Sequence, residues 1–295
     1  MKKMLFVMNP NAGTRRAAKY LADILSIFNQ AGYAVITHMT ACAGDCTRIV
    51  AQLAAGMDVV VCCGGDGTFN ETVTGLMQCG CNIPIGYIPA GSTNDLAATL
   101  GLSNNPIEAA RDIVQGRPLS YDVGSFGNRY FCYIASFGIF TKTSYSTPQN
   151  LKNALGRTAY LLSSIQEISQ LRTFHMRFDA DDTSVEDDFL FGAVCNATTV
   201  GGVLSLDPTQ VNLSDGKFEL MLIRAPRDLV ELSEVIYSLQ SQRYHSPLIT
   251  FRSVRSVRVM GEAGMVWTTD GERADAEQIL HIRNIHNGMQ VLQKE

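Results

Sequence analysis

Gly64-Gly65-Asp66-Gly67-Thr68-Phe69-Asn70-Glu71 sits between an apolar run and an amphipathic one. The run before it, Val59-Val60-Val61-Cys62-Cys63, predicts a buried parallel strand. After it, Val73, Leu76 and Met77 recur at helical spacing and predict a helix over residues 72–78. A strand that empties through glycines into a helix start suits an anion. Glycine lets the backbone approach closely, and the first helical N–H groups face the ligand with the positive dipole end behind them. One carboxylate, Asp66, stands in this loop. Beside phosphate, such a group calls for a cation or a transferable proton between the two.

The same alternation runs through the first 120 residues. Residues 4–8 read as a strand that empties into Asn9-Pro10-Asn11-Ala12-Gly13, then a helix through Arg15, Arg16, Leu21, Ile24, Leu25 and Phe28 that stops at Gly32. A strand over 33–39, a helix over 45–55 and the strand over 57–63 follow. A fourth strand over 83–88 runs into Pro89-Ala90-Gly91-Ser92-Thr93-Asn94-Asp95-Leu96, and a helix over 106–115 comes next. Strands alternating with helices imply a parallel sheet covered on both faces, a three-layer α/β domain. Ligands bind such sheets outside the carboxyl ends of the strands, so the loops at 9–13, 64–70 and 89–95 should meet at one site. This is no Walker A loop, since no Gly-Lys-Ser/Thr follows, and the Rossmann glycine spacing is absent too.

The pattern changes near residue 118. Short apolar or alternating runs at 130–139, 174–178, 189–196, 218–223 and 249–260 are separated by Gly, Asp, Asn and Pro, which predicts an antiparallel β domain. Helical patterns interrupt it at 148–170 and 227–242, and residues 179–188 read as an acidic, exposed hairpin tip. The boundary falls at 1–120 and 121–283, with 284–295 returning to the first domain. The chain has 295 residues and a net charge of -4, which offers no general attraction to nucleic acid or an anionic membrane. Its eight cysteines, without a C-x-x-C pair, read as small buried thiols. The five histidines lack metal-ligand spacing. The apolar run at 4–8 is too short for a secretory segment and no stretch is long enough to span a bilayer, so a cytoplasmic protein is expected.

Taken together, Asn-Pro-x-Ala-Gly, Gly-Gly-Asp-Gly-Thr-x-Asn-Glu and Pro-x-Gly-Ser-x-Asn-Asp-Leu-Ala resemble the diacylglycerol kinase catalytic family, its soluble bacterial lipid kinases in particular. Gly-Gly-Asp-Gly-Thr alone is shared with NAD kinases and is similar to the phosphofructokinase loop; the first and third motifs favour the lipid-kinase branch. The resemblance covers essentially the full length. It implies a nucleotide-binding α/β domain of the NAD kinase/phosphofructokinase type, a C-terminal antiparallel β-sandwich and an active site in the cleft between them. It implies ATP on Asn9, Pro10, Asn11, Ala12 and Gly13, on Thr40, on Gly64, Gly65, Asp66, Gly67, Thr68, Phe69 and Asn70, and on Ser92. Asp66 and Asp95 would organise Mg²⁺ on the phosphates. Thr93 stands where the family often has glycine.

Thr269-Asp270-Gly271-Glu272 matches the family's Asp-Gly-Glu motif, which implies Glu272 as the acceptor of the lipid hydroxyl's proton, supported by Asp270. Asn212-Leu213-Ser214-Asp215-Gly216-Lys217-Phe218 resembles the family's Asp-Gly turn before a strand, and the resemblance implies a second, structural Mg²⁺ on Asp215 with carbonyls of residues such as Asn212 and Lys217. Phe137, Ile139, Phe140, Tyr160, Leu161 and Leu162 are candidates for an acyl-chain surface, more often core than groove; Lys142, Lys152 and Arg157 are candidates for headgroup contact. The expected function is transfer of phosphate from ATP to a lipid hydroxyl, diacylglycerol first, with transient peripheral membrane contact and no nucleic acid. A homodimer is left open. The alternatives are a soluble-substrate kinase of the NAD-kinase type and a catalytically silent nucleotide-binding module.

Overall fold

Strand side chains alternate between two faces, and the first strands of this chain are apolar on both. The computed structural model describes residues 1–13, 17–139, 171–181, 183–200, 204–206, 209 and 211–294. Expectations on Arg15, Arg16, the 148–170 helix, Phe140, Lys142, Lys152, Arg157, Tyr160, Leu161 and Leu162 lie outside these residues. Two compact units divide the chain: Met1–Val123 with Ile285–Glu295, and Gly124–Asn284.

In the first unit, β1 (Lys2–Met8) pairs in parallel with β2 (Tyr33–Met39) and with β3 (Val59–Gly64). Strand β4 (Ile85–Pro89) pairs in parallel with β3, and with the far end of β17 (Ile279–Gln293), where Val291 stands opposite Ile85. The order is thus β17-β4-β3-β1-β2. Met4, Phe6, Met8, Val59, Val61 and Cys63 pack with Ile24 and Phe28 of α1 (Leu21–Gln30) and with Ala109 and Ile113 of α5 (Pro106–Gln115). On α3 (Asp66–Cys79), Phe69 lies against Tyr87 of β4 with ring centroids 4.8 Å apart, and α2 (Asp45–Leu53) packs on α3.

The starts of α3 and α4 depart from expectation. Helix α3 begins at Asp66, not at residue 72, so Gly67, Thr68, Phe69 and Asn70 form its first turns; extended Gly65 caps it, and Asp66 complements the positive end of its dipole. A short helix α4 (Asp95–Thr99), too brief for a period to show in sequence, follows the third loop. The cysteines also differ: Cys46, Cys62, Cys63, Cys132 and Cys195 are buried, Cys79 and Cys81 half-buried at a helix end, and Cys42 exposed in a loop.

Strand β5 (Arg117–Phe126) leads into the second unit, which is antiparallel. Its long strand β9 (Thr183–Cys195) makes a hairpin with β8 (Phe174–Ala180), then pairs further along with β7 (Ile134–Gly138) and β12 (Phe218–Arg224). Residues 179–188 span the turn of this hairpin, with exposed Asp181 in the turn and Asp179, Glu186, Asp187 and Asp188 on the two strands. Strand β12 pairs with β13 (Ile249–Val254), β14 (Ser256–Met260) bridges β8 and β17, and α6 (Leu229–Gln240) is capped by Asp228. This partner-switching builds a sandwich. In its core Trp267 packs between Phe126 and Phe137, centroids 5.4 and 4.7 Å away. Phe137 is fully buried and belongs to this core, as apolar residues on inner strands generally do.

Trp267 is the only tryptophan in the chain, so its fluorescence reports the sandwich alone. Phe137→Ala is expected to lower the urea midpoint of that signal, at a cost of about 3–5 kcal/mol; an unchanged midpoint would contradict the packing.

Candidate active site

Residues 9–13, 64–67 and 89–95 leave the carboxyl ends of β1, β3 and β4, and backbone contacts hold them together. Gly13 has φ +51°, and a Cβ there would stand 2.4 Å from the Ala90 carbonyl oxygen. A Cβ on Gly91 would stand 2.6 Å from the Gly65 Cα. Side chains are therefore excluded where the loops touch. The Asn9 N–H donates to the Cys63 carbonyl at 2.9 Å, and the Ala90 N–H to the Gly64 carbonyl at 2.7 Å. Asn9 folds its own loop by accepting the Asn11 N–H through Oδ1 at 2.9 Å, while its Nδ2 reaches Thr68 Oγ1 at 3.5 Å. Thr40 is buried, and its N–H donates to the Met8 carbonyl at 2.8 Å; Asn11 and Ser92 are exposed, Pro10 and Ala12 half-buried.

Carboxylates and amides brace this loop cluster. Asp66 accepts the N–H groups of Asp95 and Leu96, at 3.1 and 3.3 Å, and so caps α4. Each of its oxygens keeps a lone pair for a further donor or a cation. Glu71 accepts the N–H groups of Gly44 and Cys46, at 2.8 and 3.1 Å, and caps α2. Asn94, in the left-handed region at φ 54°, accepts the Gly91 N–H at 2.8 Å and donates to Asn104 Oδ1 at 3.3 Å. Asp45 holds the Ala41 N–H at 3.0 Å, the His38 ring at 3.2 Å and the Arg48 guanidinium. The backbone bond from Ala41, then His38 and Arg48, bring its carboxyl down to about 2. Sequence reasoning assigned no role to Glu71, Asn94 or Asp45. A cavity of about 760 Å³ in this unit is lined by Tyr20, Gly91, Ser92, Asn94, Asn105 and Arg111 among others, a size that admits a small ligand.

In the second unit, Asp270 and Gly271 form the turn between β15 (Val266–Thr269) and β16 (Glu272–Asp275). Asp270 is 3% exposed, has φ 48°, and accepts the N–H groups of Cys132, Tyr133 and Ile134 at 2.6, 3.0 and 3.1 Å. It fastens the 132–134 backbone. Glu272 is exposed at the head of β16.

At the Asp215 turn, Asp215 Oδ1 accepts the Lys217 N–H at 3.0 Å and Asn212 Oδ1 the Ser214 N–H at 3.1 Å. Amide groups of Asn284 and Asn196 donate to the carbonyls of Lys217 and Leu213, both at 3.1 Å. Glu219, 2% exposed, keeps Oε2 without a hydrogen-bond partner among the described residues. Burial, and behind it the Asp215 charge, push its carboxyl up to about 8. No group of three or more His, Cys, Asp and Glu among the described residues can hold a metal. A cation here would draw on carbonyl and amide oxygens as well as Asp215, and that hard, all-oxygen set fits Mg²⁺.

Residues 3–126 match the diacylglycerol kinase catalytic domain, and residues 135–284 the YegS C-terminal NAD kinase beta sandwich-like domain. The diacylglycerol kinase of Bacillus subtilis is 32% identical over 274 residues, which cover 92% of this chain and 90% of that one. The chain belongs to the diacylglycerol kinase catalytic-domain family. A second relative of this kinase-family chain, the diacylglycerol kinase of Staphylococcus saprophyticus, is 29% identical over 92% of this chain and 89% of its own length. A crystal structure of a diacylglycerol kinase from Bacillus anthracis, 23% identical, shares the fold with a TM-score of 0.80 over 99% of this chain and 97% of that one. Among the described residues no helix is long and apolar enough to cross a membrane.

Asp270→Asn turns one of the acceptor oxygens toward the three N–H groups into a donor. A loss of about 1–3 kcal/mol is expected, together with faster amide exchange at 132–134. Protection unchanged at those amides would refute the role given to Asp270.

Proposed function

We propose that the chain transfers the γ-phosphoryl group of ATP, with Mg²⁺, to a lipid hydroxyl, diacylglycerol being the leading acceptor and phosphatidic acid the product. The observation that carries this reading is the meeting of three small-residue loops at the ends of adjacent parallel strands. Residues 9–13 and 64–70, with Thr40 and Ser92, cradle the phosphates, the first N–H groups of α3 being the donors. Asp66 and Asp95 would hold Mg²⁺ through water; when bound it supplies neutralisation of the charge on the phosphate oxygens. Glu272 takes the proton of the lipid hydroxyl as that oxygen attacks the γ-phosphorus in line. Asp270 acts as a positioning residue beneath it.

Asp215, with the carbonyls of Asn212 and Lys217, is assigned to a second Mg²⁺ with a structural role. On this reading residues 1–120 and 284–295 serve the nucleotide and 121–283 the lipid. The protein works in the cytoplasm and meets its acceptor transiently at the membrane surface. The NAD-kinase-type reading rests on the shared Gly-Gly-Asp-Gly-Thr loop alone.

The test is transfer from γ-labelled ATP to a panel of lipids in mixed micelles, with NAD as a competing acceptor. Glu272→Gln is expected to lower turnover by about 10²–10⁴-fold while ATP binding is kept; Asp66→Ala is expected to weaken both. Label appearing on NAD instead of lipid, or transfer that survives both substitutions, overturns the proposal.

A further inference from the structure

Cys79-Gly80-Cys81 closes the far end of α3, away from every residue given a role above. Gly80 turns the chain into the left-handed region at φ 67° and ψ 22°. This folds the backbone back, so that the Cys81 N–H donates to the Leu76 carbonyl at 3.1 Å and the Gly80 N–H to the Met77 carbonyl at 3.4 Å. The same turn brings the Cys81 side chain back over residue 79, its thiol 3.9 Å from the Cys79 carbonyl oxygen. Cys79 Sγ also donates to the Leu76 carbonyl at 3.4 Å.

Both residues are half-buried and so within reach of a small solute, unlike the buried Cys46, Cys62, Cys63, Cys132 and Cys195. A residue in the left-handed region mirrors the α-helical φ/ψ and so leaves its two neighbours' Cα atoms about 5.5 Å apart, as at i and i+2 of a helix, inside the range of roughly 4.4–6.8 Å that a disulfide spans. A pair bridged across a single residue closes a small, strained ring, the kind of disulfide that reductants reopen.

We propose that Cys79 and Cys81 are a vicinal dithiol that low-molecular-weight disulfides oxidise to a reversible Cys79–Cys81 bond. With oxidised glutathione, one cysteine thiolate attacks a glutathione sulfur, forms a mixed disulfide and releases one glutathione thiolate. The neighbouring thiolate then attacks the cysteine sulfur of that mixed disulfide and expels the second glutathione. The protein loses two electrons and two protons, the electrons reducing one glutathione disulfide to two thiols. The Cys79 thiol alongside, with burial behind it, holds Cys81 above the ordinary thiol range, so the exchange speeds up as pH rises.

The experiment treats the full-length protein with oxidised glutathione, quenches with acid and maps the peptides by mass spectrometry. Exposed Cys42 serves as the internal control for reagent access. The expected result is a peptide linking Cys79 to Cys81 without a glutathione adduct, reversed by dithiothreitol. Cys79→Ser is expected to retain glutathione on Cys81, and Cys81→Ser on Cys79, because neither has a neighbour to expel it. Glutathione retained on the wild-type pair, or a pair left as free thiols while Cys42 is modified, overturns the proposal. Stoichiometric capture of one phenylarsine oxide per chain, abolished by either substitution, tests the same pairing without oxidation; capture that survives both substitutions overturns it as well.

Discussion

In the first unit three strand-end loops meet backbone to backbone at glycines. Gly13 lies on Ala90, and Gly91 on Gly65, at separations that no side chain would fit. The loops satisfy many of their own N–H groups, Asn9 on Cys63, Asn11 and Ala12 on Asn9, Ala90 on Gly64 and Gly91 on Asn94. The first N–H groups of α3 have no partner within the helix, and a ligand rich in oxygens meets that need. The preceding strands are parallel, apolar and buried, so the loops are positioned by a packed scaffold. Glycine here is a condition of the contact, and the apolar sheet is a condition of the glycines meeting at all.

Side-chain carboxylates extend this scaffold by taking the place of backbone acceptors. Asp66 joins the first turn of α3 to that of α4, and Glu71 joins α3 to the start of α2. One helix thereby fixes the entry points of two others. In the second unit Asp270 does the same for the 132–134 backbone. A charged acceptor holding several N–H groups makes stronger bonds than a neutral one, and it keeps otherwise orphaned donors satisfied.

Much of this was legible in the sequence. The apolar runs announced β1, β3 and β4, and the switch to short alternating segments announced the antiparallel unit. The glycine-rich loops marked the candidate site because glycine carries its constraint locally. What stayed hidden depends on partners distant in the chain. Nothing near Glu71 reveals that its acceptor oxygens serve donors 25 and 27 residues earlier, and Asp270 finds its donors some 136 to 138 residues upstream. Asn94 was visible as part of a motif, but its left-handed backbone and its grip on Gly91 were not. The early start of α3 was masked because glycines in a first turn look like loop. Turn residues and helix N-termini draw on the same small, polar alphabet.

Strand β17 has a consequence for how the chain is made. Residues 285–295 complete the unit begun by residues 1–123, and they are held there by specific ties. Tyr121 donates to Gln293 at 2.6 Å, Gln293 donates to the Leu100 carbonyl at 3.0 Å, and fully buried Asp122 accepts from His286 and from the Asn287 N–H. During synthesis the ribosome delivers the sandwich before it delivers those residues. The parallel sheet must wait with the edge of β4 unpaired while a whole unit emerges and folds behind it. An open strand edge is a site for mispairing with other chains. The order of translation, and not only the final energy, thus sets when this unit can close.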